Sequence, residues 1–375
     1  MTTGDPLCAL AHDLLAPLRP GDAIADGLRW LGVRTDLGLV LQCTLHGRPL
    51  AIELVPRVAA HGHRVTTEQL AVGHLGHGDD AAAEIAACET IARLIASRER
   101  EALAHARSAG TSGRVRMIAV GHALHDCGDH YALSPYRGCT IGCRFCYAQS
   151  RWQPWRALLG PSSDDAWGSW VDACDDAPAC LQRELATLPP RPIKLCPIVA
   201  DPYQPIERRL RLTRRCLEAI AAAPRPWPTL VLTRTAIVLD DLPQLCALPQ
   251  AWVGVSLPTA DDDVRAHFEP RAATVAERVE VLRRCNDAGL RSFAVVQPLL
   301  PGSVDALCDA LRHARAGVAI GTLEGEQDAG PLFDDPRYRH ARADAWQRAQ
   351  AQCLRHALAR AGVPVWPGEL PPGCA

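Results

Sequence analysis

The sequence predicts an α/β protein: a partial (β/α)6 TIM-like barrel preceded by a small α+β domain. Three observations point there. Six short apolar segments between residues 130 and 323 read as strands. Helical patterns separate them, long enough for the right-handed crossovers that parallel strands require. The first 107 residues follow a different pattern, with neighbouring alternating runs and no regular crossover.

The elements are justified in chain order. Leu7 to Leu18 and Ala23 to Leu31 have the spacing of short helices. Leu37, Leu39, Leu41, Cys43 and Leu45 then alternate, His46-Gly47 turns the chain, and Leu50, Ile52 and Leu54 alternate again, which predicts a β-hairpin. Asp79-Asp80 can cap a helix running to about Arg107, with Ile85, Cys88, Ile91, Ala92 and Ile95 as its apolar stripe. SAGTSG (108–113) reads as a linker, so residues 1–112 form an N-terminal domain and 113–325 the core. The core strands are HYALSPY (130–136), IKLCPIV (193–199), TLVLTRT (229–235), WVGVSL (252–257), RSFAVVQ (291–297) and GVAIGTL (317–323). Residues 206–223 and 274–289 are the clearest helices between them. Residues 326–375 add a helix from about Arg339 to Ala361 and a Pro-rich tail. In a barrel of this kind, function sits at the C-terminal ends of the strands.

Composition narrows the function. The chain has 375 residues, 48% hydrophobic and 22% charged, enough for about two domains with a sizeable core. A formal net charge of −2 does not favour binding to long duplex nucleic acid. No apolar run is long enough to span a bilayer, and MTTGDPLCALAHDLL lacks the basic start of a secretory signal. A cytoplasmic location is therefore expected, and with it free thiols. Of sixteen cysteines, most stand singly in apolar stretches, as do Cys88, Cys216, Cys285 and Cys353, and read as small buried hydrophobes.

Cys139, Cys143 and Cys146 are different. They share one loop directly after the first core strand, with Gly138 and Gly142 to let the backbone bend. Three thiolates there can hold one face of a metal centre. Structural zinc takes four protein ligands, and a fourth would have to come from afar. A [4Fe–4S] cube normally takes four cysteines, so three suggest a cube with one iron open to a small molecule. S-adenosylmethionine can fill that position through its amino and carboxylate groups.

CTIGCRFCY (139–147) fits the CxxxCxxC pattern of the radical SAM superfamily. SPYRGCTIGCRFCYA, ADPYQPIE (200–207), LTRTAIVLDDL (232–242), VGVSLPTADDDVRAHFEPRA (253–272) and QPLLPG (297–302) resemble its spore photoproduct lyase-like branch, often labelled DNA repair photolyase-like. The resemblance covers roughly residues 115–325 and leaves the first 110 unassigned. It implies a [4Fe–4S] cluster on Cys139, Cys143 and Cys146, with S-adenosylmethionine as second cofactor. Phe145, Tyr147 and Ala148 then lie against the adenine. Asp201 meets the methionine amino group, Arg234 the carboxylate, and Ser256 the carboxylate or ribose. Arg234 stands where many relatives carry Lys, and its planar fork suits a carboxylate. An external electron donor such as flavodoxin or ferredoxin is also implied.

Two departures bear on the reaction. Where spore photoproduct lyase relies on a hydrogen-donor cysteine, this chain has Ala200. Cys196 lies four residues earlier, about 13 Å along a strand. Arg208, Arg209, Arg211, Arg214 and Arg215 read as the solvated face of a helix and not as a DNA contact. The histidines His122, His125 and His130 with Cys127, and His61, His63, His74 and His77, have irregular gaps and read as loop residues. Cys174 and Cys180 could join Cys127 or Cys374 in an auxiliary cluster, but no fixed motif supports one. The expected function is a radical SAM enzyme that abstracts hydrogen from a peptide or small-molecule substrate. The alternatives are a nucleic-acid repair lyase and a non-catalytic zinc or Fe–S protein.

Overall fold

The structure is a computed structural model, which describes residues 3–36, 38–57, 64–75, 80–109, 113–160, 165–196, 199–323, 333, 335–366 and 371. The chain forms two compact units. One is Met1–Ala119 with Gln149–Ala166, the other Val120–Ala148 with Trp167–Ala375.

The first unit is a six-stranded antiparallel sheet with helices. Its strands, in spatial order, are Ala23–Ala25, Leu28–Arg34, Leu39–Leu45, Arg48–Pro56, Leu70–Leu75 and Val65–Thr66. Helix Pro6–Leu15 starts on Asp5, whose carboxylate accepts from the Leu7 N–H (3.0 Å) and the Thr35 hydroxyl (2.6 Å). The expected hairpin is present. His46 and Gly47 turn it with φ of 50° and 81°, the paired positive values that suit a right-twisted two-residue turn.

The helix expected over Ala23–Leu31 is instead two strands joined at Asp26-Gly27. Leu28 and Trp30 are buried while Leu31 is exposed, a period of two. Gly27 has φ of +70°, and a Cβ there would lie 2.3 Å from the His46 ring. The Asp-Gly hairpin signal therefore outweighs the helical spacing.

The expected long helix is two, Ala81–Ala96 and Glu99–Ala109. Asp80 caps the first by accepting from the Ala83 N–H, whereas Asp79 lies outside the described residues. The break coincides with Glu99, whose buried carboxylate accepts from the Thr67 hydroxyl and the N–H groups of Glu68, Gln69 and Leu70. Ile85 faces outward, 47% exposed, and Ala87 is buried instead.

The second unit carries the six expected strands, all parallel and adjacent in chain order. They are Tyr131–Leu133, Ile193–Leu195, Thr229–Thr233, Ala251–Ser256, Arg291–Val296 and Gly317–Ile320. Two further strands extend the sheet. Leu124–Asp126 pairs antiparallel with the first, and Val365–Trp366 pairs parallel with the last. The second lies inside the Pro-rich tail, where composition hid it. Its Trp366 ring occupies the space beside Gly317, where a Cβ would lie 2.0 Å from it.

The helix expected over 206–223 is broken into Glu207–Leu210 and Leu212–Ala221 at Arg211, which has φ of 51°. Glu207 causes the break. Its carboxylate accepts from the Tyr136 hydroxyl and from the Thr213 and Arg214 N–H groups (3.1 Å each), so it caps the second helix. Helix Val275–Asp287 opens with a capping box between Thr274 and Glu277. Helices Val304–Ala314 and Asp344–Arg360 follow.

One face of the parallel sheet packs on itself. Cys196, Leu230, Leu232, Phe293, Val295 and Ala319 form a single cluster, joined by Trp252 and Trp366. Gly254 makes room for the Phe293 ring, which would stand 2.3 Å from a Cβ at that position. Alternation along the strands places Arg234, Ser256 and Gln297 further up the same face, beyond the apolar floor. Among the described residues, no helix is long and apolar enough to cross a membrane.

Candidate functional site at the C-terminal ends of the parallel strands

The three-cysteine loop leaves the C-terminal end of the strand Tyr131–Leu133 after a short extended segment, Tyr136–Arg137. Local bonds shape it. The Gly142 N–H donates to the Cys139 carbonyl (3.2 Å) and the Cys146 N–H to that of Cys143 (3.3 Å). Gly138 and Gly142 take φ of +73° and +69°, the left-handed turns expected of them. Three elements from elsewhere brace the loop. Gln204 accepts from the Thr140 N–H (2.8 Å) and hydroxyl (3.0 Å) and donates to the Gly138 carbonyl (3.2 Å). Arg271 donates to the carbonyls of Thr140 and Gly168. The Arg144 N–H donates to the Phe268 carbonyl (2.8 Å).

Cys139 and Cys143 are buried and Cys146 is half-buried; none of the three is joined in a disulfide. Burial pushes the Cys139 thiol up to about 12, helped by the Asp201 charge, while the N–H groups of Asp201 and Ile141 oppose the rise. Burial also drives Cys143 well above its ordinary value, with the Arg234 cation pulling it back and the charges of Cys146 and Cys139 adding to the rise. The sulfurs of Cys139, Cys143 and Cys146 thus act on one another by charge. Among the described residues, no group of three or more His, Cys, Asp or Glu is gathered to hold a single metal ion.

The other expected residues surround the loop. Asp201 follows the second parallel strand, fully inside the protein. Its Oδ1 accepts from the Tyr203 N–H (2.8 Å) and the Thr233 hydroxyl (2.7 Å), and its Oδ2 from the Arg234 N–H (2.8 Å). Oδ2 therefore keeps one acceptor position, and the carboxylate ties the ends of the second and third strands together. Burial raises its pKa, and those three bonds oppose the rise.

Arg234 ends the third strand. Its guanidinium lies over the Phe145 ring at 5.4 Å and stands 3.3 Å from Glu269 Oε1. The pair attracts as ions without being aligned as a hydrogen bond, so Arg234 Nη1 and Glu269 Oε1 both lack a hydrogen-bond partner. Phe145 is buried and packs toward Phe268, with ring centroids 6.4 Å apart. Tyr147 is 39% exposed, whereas Ala148 is buried at the start of helix Ala148–Leu159. Ser256 is buried at the end of the fourth strand, its carbonyl accepting from Arg278 Nη1 (2.9 Å).

Gln204, Glu269, Arg271 and Arg278 belong to this region and carried no motif signal of their own. Each lies inside or beside a segment noticed for its resemblance, but only the folded chain aligns them with the cysteines. Cys196 packs among Leu230, Leu232 and Phe293 in the apolar floor.

Among the described residues, the remaining candidates are not drawn into a centre. His122 and His125 touch edge to face at 4.9 Å, and His130 contacts Asp129. His74 pairs with Glu84 at 3.0 Å, while His61, His63, His77 and Cys374 lie outside the described residues. Cys180 contacts Asp176 and Arg183. Of the arginine cluster, Arg208 faces Asp240, Arg214 grips Asp241 and Arg215 faces Asp175.

No family model matches the chain. An uncharacterized protein of Methanocaldococcus jannaschii is 25% identical over 181 residues, 48% of this chain and 63% of that protein. One of Mycobacterium tuberculosis is 29% identical over 184 residues, 47% of this chain and 51% of that protein. The chain thus spans from about half to under two thirds of the length of these curated relatives.

Among solved structures the chain is similar to spore photoproduct lyase with bound AdoMet and dinucleoside spore photoproduct. Identity is 16%, the TM-score 0.47, and coverage 67% of this chain and 81% of that one. It is also similar to SuiB of Streptococcus suis bound to S-adenosylmethionine, at 12% identity and a TM-score of 0.42, covering 75% of this chain and 56% of that one.

Proposed function

We propose that this chain is a radical S-adenosylmethionine enzyme acting on a peptide or small molecule. One observation carries the reading. Three cysteines outside any disulfide share a single loop at the C-terminal end of the first parallel strand, and an incompletely satisfied buried arginine stands beside them. The donor set fits a [4Fe–4S] cluster with one open iron: Cys139, Cys143 and Cys146 would hold it. When bound, the cluster supplies one electron to the sulfonium of S-adenosylmethionine, whose C–S cleavage yields a 5′-deoxyadenosyl radical.

The chain's own residues do the rest. The Asp201 and Ile141 N–H groups favour the ionised form of the Cys139 sulfur. The Arg234 guanidinium offers a planar, permanently charged fork to the methionine carboxylate. Asp201 has one free acceptor position for the ammonium, and its three bonds hold it still while it is used. Phe145 and Ala148 give an apolar surface for the adenine, with Tyr147 at the open edge. The floor of Phe293, Leu232 and Val295 keeps water out from below.

The acidic partners of Arg208, Arg214 and Arg215 and the net charge of −2 support a small or peptide substrate over a phosphate backbone. Anaerobic reconstitution tests the proposal. Iron and sulfide near four each per chain are expected, with 5′-deoxyadenosine formed once dithionite is added. Zinc without sulfide, and no cleavage of S-adenosylmethionine, would sink it.

A further inference from the structure

Two arginines converge on one buried carboxylate beside the cysteine loop. Glu269 is fully buried. Its Oε2 accepts from Arg278 Nη2 at 2.6 Å, and its Oε1 stands 3.3 Å from Arg234 Nη1. Arg278 is itself fully buried, and its other nitrogens are committed. Nε donates to the Ala273 carbonyl and Nη1 to the Ser256 carbonyl, both at 2.9 Å. Arg278 therefore cannot turn away, and it anchors the carboxylate at one oxygen. The opposite oxygen faces Arg234.

Two guanidinium groups meet the Glu269 carboxylate here, and Asp201 acts on Arg234 as a second anion. An isolated buried cation on a flexible stem would seek the nearest anion. For Arg234 the anions other than Glu269 are Asp201 and, once ionised on binding a cluster, the sulfurs of Cys143 and Cys146. Glu269 offers a competing anion on the far side. Because the Arg234–Glu269 contact lacks hydrogen-bond alignment, it holds the guanidinium by charge and leaves its N–H groups unspent.

We infer that Glu269 is a positioning residue: anchored by Arg278, it holds the Arg234 guanidinium over Phe145 and away from the cluster sulfurs, ready for an incoming carboxylate. What Arg234 receives rests on the function proposed above. The same anchor reaches the fourth strand through the Ser256 carbonyl, so one ion triad aligns the ends of the third and fourth strands.

The test is Glu269→Gln. The amide oxygen can still accept from Arg278, but its NH2 group then faces Arg234 donor to donor. In the reconstituted, oxidised protein, iron and sulfide should match wild type while the dissociation constant for S-adenosylmethionine rises at least tenfold. An affinity within twofold of wild type would overturn the inference, and so would a loss of thermal stability with affinity unchanged. Should E269Q not fold, the pair E269Q/R278M removes both buried charges, and it must show the same weakening. Failure of the functional proposal is read separately. In cluster-free protein, a thermal double-mutant cycle of E269Q with R234M needs no cofactor. Non-additive melting shifts are expected, and additive ones would refute the Glu269–Arg234 coupling whatever the wild type binds.

Discussion

Gly142, between the first and second cysteines, is the most exacting position in the loop. Its φ is +69°, where an L side chain costs about 1–2 kcal/mol. A Cβ there would also lie 2.8 Å from Arg271 Nη2 and 3.0 Å from the Gly168 Cα. Gly168 offers no relief, since its own Cβ would lie 2.8 Å from the Gly142 Cα, and Arg271 is tied to the Gly168 carbonyl. Forcing a methyl between two backbones costs about 1–3 kcal/mol more. Gly142→Ala should therefore destabilise the second unit by about 2–5 kcal/mol, or about 4–20 °C for a unit of this size.

Gly289→Ala is the control. Gly289 has φ of +78° but nothing within 4 Å of the added Cβ, so it carries only the backbone part, about 1–2 kcal/mol. The assay is thermal unfolding by circular dichroism, paired with iron content after anaerobic reconstitution. G142A should melt below G289A and load less than half the wild-type iron. If the two variants melt together and both load fully, the close approach of Gly142 to Gly168 does not shape the loop.

Single Ala substitutions at Cys139, Cys143 or Cys146 should abolish cluster assembly while leaving far-ultraviolet circular dichroism intact; a fully loaded single variant contradicts their role. Arg234→Lys keeps the charge but loses the fork, so S-adenosylmethionine binding measured by equilibrium dialysis should weaken about tenfold, the loss of one charge-assisted bond. Gly254→Val would drive the Phe293 ring from the apolar cluster on the parallel sheet and lower stability by about 1–3 kcal/mol in urea titrations. Burial raises the Glu207 pKa above its ordinary 4.5. A raised folded value means its contribution is full below 4.5 and declines as pH rises through the folded pKa. Glu207→Gln should flatten that slope in pH-dependent unfolding while lowering stability overall, since its NH2 group would face a donor.

What was legible in this sequence was local. The three cysteines, their glycines, the six parallel strands and the cap at Asp80 all depend on neighbours within a few residues, and spacing records those. Where two local signals competed, spacing alone misled. Ala23–Leu31 carries helical periodicity and an Asp-Gly turn together, and the turn prevailed once Trp30 could be buried in a sheet. The helix expected over 206–223 gave way because Glu207 found the Thr213 and Arg214 N–H groups and the Tyr136 hydroxyl at once.

The tertiary structure alone decided which distant residues serve the loop. Gln204 braces Thr140 across 64 positions and Arg271 across 131, and neither pairing leaves a trace in periodicity. The same holds for Glu269, which is one acidic residue among many until folding buries it between Arg234 and Arg278. A side chain's type and spacing follow from covalent order, but the charge it faces depends on where folding brings the rest of the chain.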